Sequence, residues 1–212
     1  MTSSSDPTVE GVYGPFTVDA NDRREVLGYR LALLTVAIAQ LGWLIQWQER
    51  GAEQLWPWLL LMAAGLGLAL QWIHIYLRPL HLTLKLFWLL GCVSAIALAV
   101  NAGGPAGMLR AVLAQPLWLL ALGPYFAALA GVGFKEFFCF RRPEAIGVTL
   151  LLPLALLGRL LGLISAPLCG QLLLVQALLL LVLCLRKLPM EAAADVGDKS
   201  VFAYLEKQRR IS

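Results

Sequence analysis

The two histidines of the chain are candidates for chemistry, because an imidazole can ligate a metal ion or a porphyrin-type pigment. His74 and His81 lie seven residues apart in the stretch HIYLRPLHLTLK, on either side of Pro79. On a continuous helix they would be separated by about 10 Å, too far to chelate one ion together. Two interpretations stay open: each ligates a pigment or haem separately, or both belong to a polar turn with Arg78 and Lys85. Pro79 and the neighbouring charges favour the turn.

A second candidate is a set of polar residues inside apolar sequence, Arg159, Gln171 and Gln176. The long stem of Arg159 could carry its charge outward to the membrane surface, or its guanidinium could contact an anion or a lipid headgroup. The two glutamines could hydrogen-bond to it or to each other across helices. If the three meet around a cavity, they favour a transporter of a small solute or ion. No carboxylate relay for protons or sodium accompanies them.

A third candidate is the stretch GVGFKEFFCFRRPEA at residues 131–145, where aromatic and charged residues alternate. Its first three phenylalanines follow helical spacing, which places three rings on one face. The pattern predicts a short interfacial helix whose rings enter the acyl boundary while its bases meet anionic headgroups. The same surface could also dock a protein partner. The predicted lipid or partner contacts are Phe134, Lys135, Phe137, Phe138, Phe140, Arg141 and Arg142.

No other residues form a recognisable reaction centre. Cysteines 92, 139, 169 and 184 are scattered, without the spacing of a metal or redox motif, and are expected to be free thiols. No nucleophile with a neighbouring base and no acidic metal site is visible. The sequence therefore predicts no catalytic residues, no metal site, no cofactor and no enzymatic activity. No nucleic-acid partner is expected.

The elements that position these residues follow from composition. The chain is 59% hydrophobic and only 14% charged, whereas soluble domains carry roughly 25% charged residues. Its apolar residues form blocks near the ~20 residues that cross a bilayer as a helix. The predicted fold class is therefore all-α, a polytopic membrane protein with six transmembrane helices and the short interfacial helix between helices 4 and 5. The six spans are predicted at about 30–47, 56–77, 83–101, 109–132, 145–164 and 167–185.

These spans divide the chain into a polar tail at 1–28, a membrane domain at 29–186 and a basic tail at 187–212. With six spans, Arg50, Arg110 and Arg159 lie on one side of the membrane, which leaves fourteen of the seventeen bases on the other. Basic loops stay in the cytoplasm. Both termini and the stretch at 131–145 are therefore predicted to face the cytoplasm or stroma.

Four stretches together resemble a known family: FTVDANDRREVLGYRLAL (16–33), HIYLRPLH (74–81), GFKEFFCFRRPEA (133–145) and DKSVFAYLEK (198–207). The chain is similar to the uncharacterised integral membrane proteins of cyanobacteria and plastids, known as a domain of unknown function. The resemblance implies a thylakoid or plasma membrane and supplies no activity.

The combined observations favour a non-enzymatic accessory or assembly factor. It would sit in the lipid bilayer of a photosynthetic membrane and bind a membrane-protein partner through its loop and tails. One alternative is a small-solute or ion transporter. Another is a pigment or haem carrier that uses His74 or His81.

Overall fold

A computed structural model describes residues 8–75, 77–201, 204 and 208 of the chain. The predicted all-α class is confirmed, with one addition, a β-hairpin of strands β1 (Thr8–Gly11) and β2 (Gly14–Thr17) before the first helix. A single 3-10 turn, Pro116–Trp118, precedes the fifth helix. The helices are α1 (Ala20–Arg50), α2 (Trp56–Trp72), α3 (Arg78–Asn101), α4 (Pro105–Ala114), α5 (Leu119–Phe140), α6 (Pro143–Leu160), α7 (Ala166–Lys187) and α8 (Ala192–Val196).

Within the described residues, five helical segments are long and apolar enough to cross a membrane. They are α1, α3, α5 with its preceding 3-10 turn, α6 and α7. Helix α2 is apolar but has 17 residues, and α4 has 10. At 1.5 Å per residue, α2 is about 26 Å long, slightly short of the hydrocarbon core. The predicted count of six spans is therefore not confirmed.

The predicted fourth span at about 109–132 is wrong as a single helix. Pro116 lacks an N–H and forces the residue before it away from helical geometry, and Gln115 has φ −134° and ψ 97°. The chain therefore breaks between α4 and α5. Helix α4 becomes a short separate element, and the membrane helix that follows extends further along the sequence than expected.

The predicted interfacial helix between spans 4 and 5 does not exist as a separate element. Helix α5 continues through the whole aromatic stretch to Phe140 and stops where Arg141 adopts a left-handed conformation with φ 50°. Pro143 then begins α6 almost at once. The predicted fourth span ended too early because the charged residues Lys135 and Glu136 suggested that the membrane helix had stopped before them.

Helices α1 and α7 extend beyond the predicted limits of the membrane domain. Asp19 caps α1 by accepting hydrogen bonds from the backbone N–H groups of Asn21 and Asp22, so this helix begins before the predicted limit at residue 28. At the other end, Lys187 belongs to α7. Of the predicted basic tail, residues 202, 203, 205–207 and 209–212 lie outside the described residues.

Short links reverse the chain between successive long helices, so that they form a bundle. Helix α1 packs against α2 and α7, while α5 packs against α3 and α6. At Gly91 the backbones of α3 and α5 approach so closely that an added Cβ would lie 2.4 Å from the backbone nitrogen of Tyr125. We call the end of the bundle that carries the hairpin and α8 the hairpin end, and the opposite end the distal end.

Candidate functional site

Helix α5 divides the aromatic and basic stretch between two opposite surfaces. The rings of Phe134 and Phe138 stack with centroids 6.3 Å apart and are exposed, as is Phe137. Lys135 and Glu136 point the other way, into the bundle, and are 6% and 0% exposed. The expectation that Lys135 meets lipid headgroups is therefore wrong.

The inward-pointing charges belong to a buried group at the hairpin end that we call the ion cluster, made of Arg30, Lys135, Glu136, Lys187 and Asp195. Lys187 donates hydrogen bonds to both carboxylates, Glu136 on α5 and Asp195 on α8. The Arg30 guanidinium donates to one oxygen of Asp195 at 2.8 and 2.6 Å. The Tyr29 hydroxyl donates to Glu136 at 2.6 Å. The cluster thus joins α1, α5, α7 and α8.

Other groups satisfy the remaining donors of the ion cluster. Arg30 also donates to the backbone carbonyl oxygens of Met190 and Glu191 at 2.6 and 3.0 Å. The ammonium of Lys187 lies 4.2 Å from the centroid of the Phe140 ring, within the range of a cation–π contact. Phe140, a predicted lipid or partner contact, therefore packs on an internal charge. Lys135 donates to Glu136 at 3.1 Å, so each charge of the cluster has an opposite charge beside it, an arrangement suited to holding elements together.

The electrostatics of Asp195 are consistent with this role. Burial raises the pKa of this carboxyl, but the charge and hydrogen bond of Lys187, together with Lys135 and Arg30, outweigh it. The net result is a pKa below the ordinary value of 3.8. Asp195 is therefore ionised at neutral pH, and its charge attaches α8 to the bundle.

The two arginines after α5 also differ from each other. Arg142 donates to the sulfur of Met190 at 3.0 Å and lies 3.7 Å from Glu144, with 18% of its side chain exposed. Arg141 is exposed. Of the seven predicted contacts in this stretch, the three outward phenylalanines and Arg141 are thus the freely accessible ones.

His74 lies in the link between α2 and α3, and His81 lies in the first turn of α3. His74 Nε2 is 3.4 Å from a carboxylate oxygen of Glu25. Burial lowers the pKa of His74, although Glu25 acts in the opposite direction. His81 Nε2 is 2.7 Å from the carbonyl oxygen of Leu70. Both Nε2 atoms therefore already contact protein groups.

The predicted meeting of Arg159, Gln171 and Gln176 occurs only in part. Gln176 is fully buried at the interface of α1 and α7, where its Oε1 accepts a hydrogen bond from Nε2 of Gln40. Arg159 and Gln171 instead both line a cavity at the distal end. The hydrogen-bond partner of Gln176 is therefore Gln40, a residue that the sequence analysis did not identify. The only signal in the sequence is its position in the apolar part of α1.

This distal cavity has a volume of about 1010 Å³ and is surrounded by all the helices from α1 to α7. That volume lies at the upper limit of the ~300–1,000 Å³ typical of small-molecule sites. Helix α4 supplies one wall with Met108, Leu109 and Val112. Tryptophans 43, 47 and 56, which bracket the link from α1 to α2, supply another.

Polar groups are few in the distal cavity. The Tyr125 hydroxyl is occupied, because it donates to the carbonyl oxygen of Met62 at 2.8 Å. Gln48, Gln171 and Arg159 also contribute to the lining. Among the described residues, no Asp or Glu lines the cavity, and none forms an ion pair with Arg159. The site is therefore apolar, with one positively charged group.

Small residues of α3 contribute to the lining of the cavity, namely Gly91, Cys92, Ala95 and Ala99. Their spacing of three and four residues was visible in the sequence, yet small residues in membrane helices more often mark close helix packing. No group of His, Cys, Asp or Glu in the described part of the chain is arranged to hold a metal ion. The distal cavity is therefore the candidate functional site.

A comparison with known protein families gives a match. The model of a family described as Uncharacterized integral membrane protein (DUF2301) matches residues 68–204, more than half of the chain. No curated protein and no solved structure matches. The matched range covers α3 to α8, and with them most of the walls of the distal cavity.

Proposed function

This chain belongs to that family of uncharacterised integral membrane proteins, and we propose that it binds an apolar, membrane-soluble molecule in the distal cavity. The observation that carries the proposal is the cavity of about 1010 Å³ with almost entirely apolar walls. The cavity opens to its surroundings, so its apolar walls are accessible to a ligand from the bilayer. The proposed function is binding without catalysis.

The position of the cavity supports this function. It lies at the distal end, where α4 and the break at Pro116 interrupt the regular bundle. Toward the hairpin end the bundle is packed, since the side chains of Leu33, Val36 and Leu180 are at most 1% exposed. A ligand would therefore enter from the distal side or from the bilayer, and the sealed hairpin end would keep it from passing through.

A cavity-filling variant tests the proposal. Ala95→Leu places a larger side chain on the face of α3 that lines the cavity, whereas Ala97→Leu makes the same change on an exposed face. Three of the seven tryptophans line the cavity, so energy transfer from tryptophan to a dansyl-labelled acyl probe would report occupancy in the purified protein. We expect saturable transfer that Ala95→Leu weakens and Ala97→Leu leaves intact. Equal transfer in all three proteins would contradict the proposal.

Other functions predicted from the sequence are further candidates. Binding of a membrane-protein partner would now rest on the exposed residues Phe134, Phe137, Phe138 and Arg141. Transport of a solute gains the cavity as support but needs an opening at the hairpin end as well. Pigment or haem ligation gains no support from the contacts of His74 and His81. A photosynthetic membrane, with both termini in the cytoplasm or stroma, completes the proposed setting.

A further inference from the structure

We propose that the ligand of the distal cavity is an acyl amphiphile with an anionic headgroup, which Arg159 holds. This inference rests on the proposed function and adds the chemical class of the ligand. Its headgroup would lie beside the guanidinium, and its chain would lie against the apolar walls formed by α3 and α4.

Among the described residues, no carboxylate forms an ion pair with Arg159. At the same end of the bundle, Arg110 forms an exposed ion pair with Glu53. Arg159 has no such partner among the described carboxylates, although it is only partly exposed. A cation removed from water without a partner is unfavourable. An anionic ligand would supply the missing charge.

The charge that lines the cavity is positive. Arg159 is the ionisable cation of the lining, and none of the lining residues in the described part of the chain is acidic. A cationic ligand would therefore meet repulsion without a carboxylate to compensate it. A neutral apolar ligand would fit the walls, but it would leave the guanidinium with nothing to bind.

The position of Arg159 in the bundle also supports an anionic headgroup. Arg159 lies in the last turn of α6, and Gln171 lies in the second turn of α7 across the link between these helices. Both line the cavity at its distal margin. A headgroup held there stays near the distal ends of the helices, while Gly91 and Ala95, which lie further from the end of α3, line the cavity deeper in the bundle. This is the polarity of an amphiphile in a bilayer leaflet.

The test measures binding of palmitate and of its uncharged methyl ester to the full-length protein in mild detergent, by competition with the dansyl-labelled acyl probe. We expect Arg159→Gln to weaken palmitate binding about ten- to a hundredfold, the range for losing a charged hydrogen bond. Binding of the ester should not change. Arg50→Gln, which removes an exposed charge at the same end and outside the cavity, should affect neither ligand.

Two further measurements protect the test from a folding defect. Arg159→Lys retains the charge and should retain a preference for palmitate over the ester. In the unaltered protein, added salt should weaken binding of palmitate and leave the ester unaffected. Phosphatidic acid, tested in the same competition, distinguishes a bilayer phospholipid from a free fatty acid as the source of the anionic headgroup.

The outcomes separate the two proposals. If palmitate and its ester bind equally well, or if Arg159→Gln leaves the preference for palmitate intact, the anionic headgroup is refuted and cavity binding stands. If neither compound nor phosphatidic acid competes with the probe, and Ala95→Leu has no effect, both proposals fail.

Discussion

Removal of the charge of Asp195 tests whether the ion cluster attaches α8 to the bundle. In Asp195→Asn the side chain keeps its shape but no longer neutralises Arg30 and Lys187, which are 7% and 1% exposed. Breaking a buried ion pair by removing one partner costs roughly 3–5 kcal/mol. The lower limit applies here, because Lys187 keeps Glu136 and Arg30 keeps its backbone acceptors. We expect the free energy of unfolding to fall by about 3 kcal/mol.

The assay is equilibrium unfolding in mixed micelles of mild detergent and sodium dodecyl sulfate, followed by tryptophan fluorescence. The matched control is Glu53→Gln, which removes an acid from an ion pair whose side chains are 61% and 64% exposed. Exposed pairs contribute little, so this control should not change stability measurably. A loss for Asp195→Asn that is no larger than the loss for Glu53→Gln would refute the assigned role of the cluster.

The remaining predictions concern burial and charge elsewhere in the bundle. Gln40→Leu should lower the free energy of unfolding by about 1–3 kcal/mol, because Gln176 loses its hydrogen-bond partner in a buried site. The double variant Gln40→Leu with Gln176→Leu should recover part of that loss in the same unfolding assay. Because the pKa of Asp195 in the folded protein is below 3.8, the stability that its charge contributes should be complete above pH 3.8 and should decline as the pH falls through the folded pKa. Asp195→Asn should lack this part of the acid dependence. A membrane-impermeant maleimide should label exposed Cys139 in the folded protein and leave buried Cys184 unlabelled, which site-resolved mass spectrometry would report; rapid labelling of Cys184 would contradict the packing of α7.

Local features of the sequence predicted much of the secondary structure. Apolar block length identified a helical membrane protein, because the backbone has no other partners in lipid. Asp19, which caps α1, is of a residue type that favours this position. Pro116 interrupts an apolar block, and the structure shows a complete break between α4 and α5 there. Charge was the misleading signal, since Lys135 and Glu136 suggested a loop and lie in fact within α5.

Contacts between distant residues could not be predicted from the same information. Tyr29 and Glu136 are 107 positions apart, and Arg30 and Asp195 are 165 apart. Each of these residues alone is compatible with a solvated tail or a membrane surface. Only the approach of α1, α5, α7 and α8 shows that they share one buried site.

The sequence by itself determined that the chain is a membrane protein, where most of its helices lie and which residues interrupt them, because these properties depend on local composition and backbone chemistry. The tertiary structure alone decided which helix faces meet, and therefore where the ion cluster and the distal cavity form. In a soluble helix the buried face is more apolar than the exposed face, so a periodic pattern reveals it. In a membrane helix the lipid-facing side is as apolar as the packed side. The cavity-facing residues of α3, Gly91, Cys92, Ala95 and Ala99, therefore look like ordinary membrane sequence until their neighbours are in place.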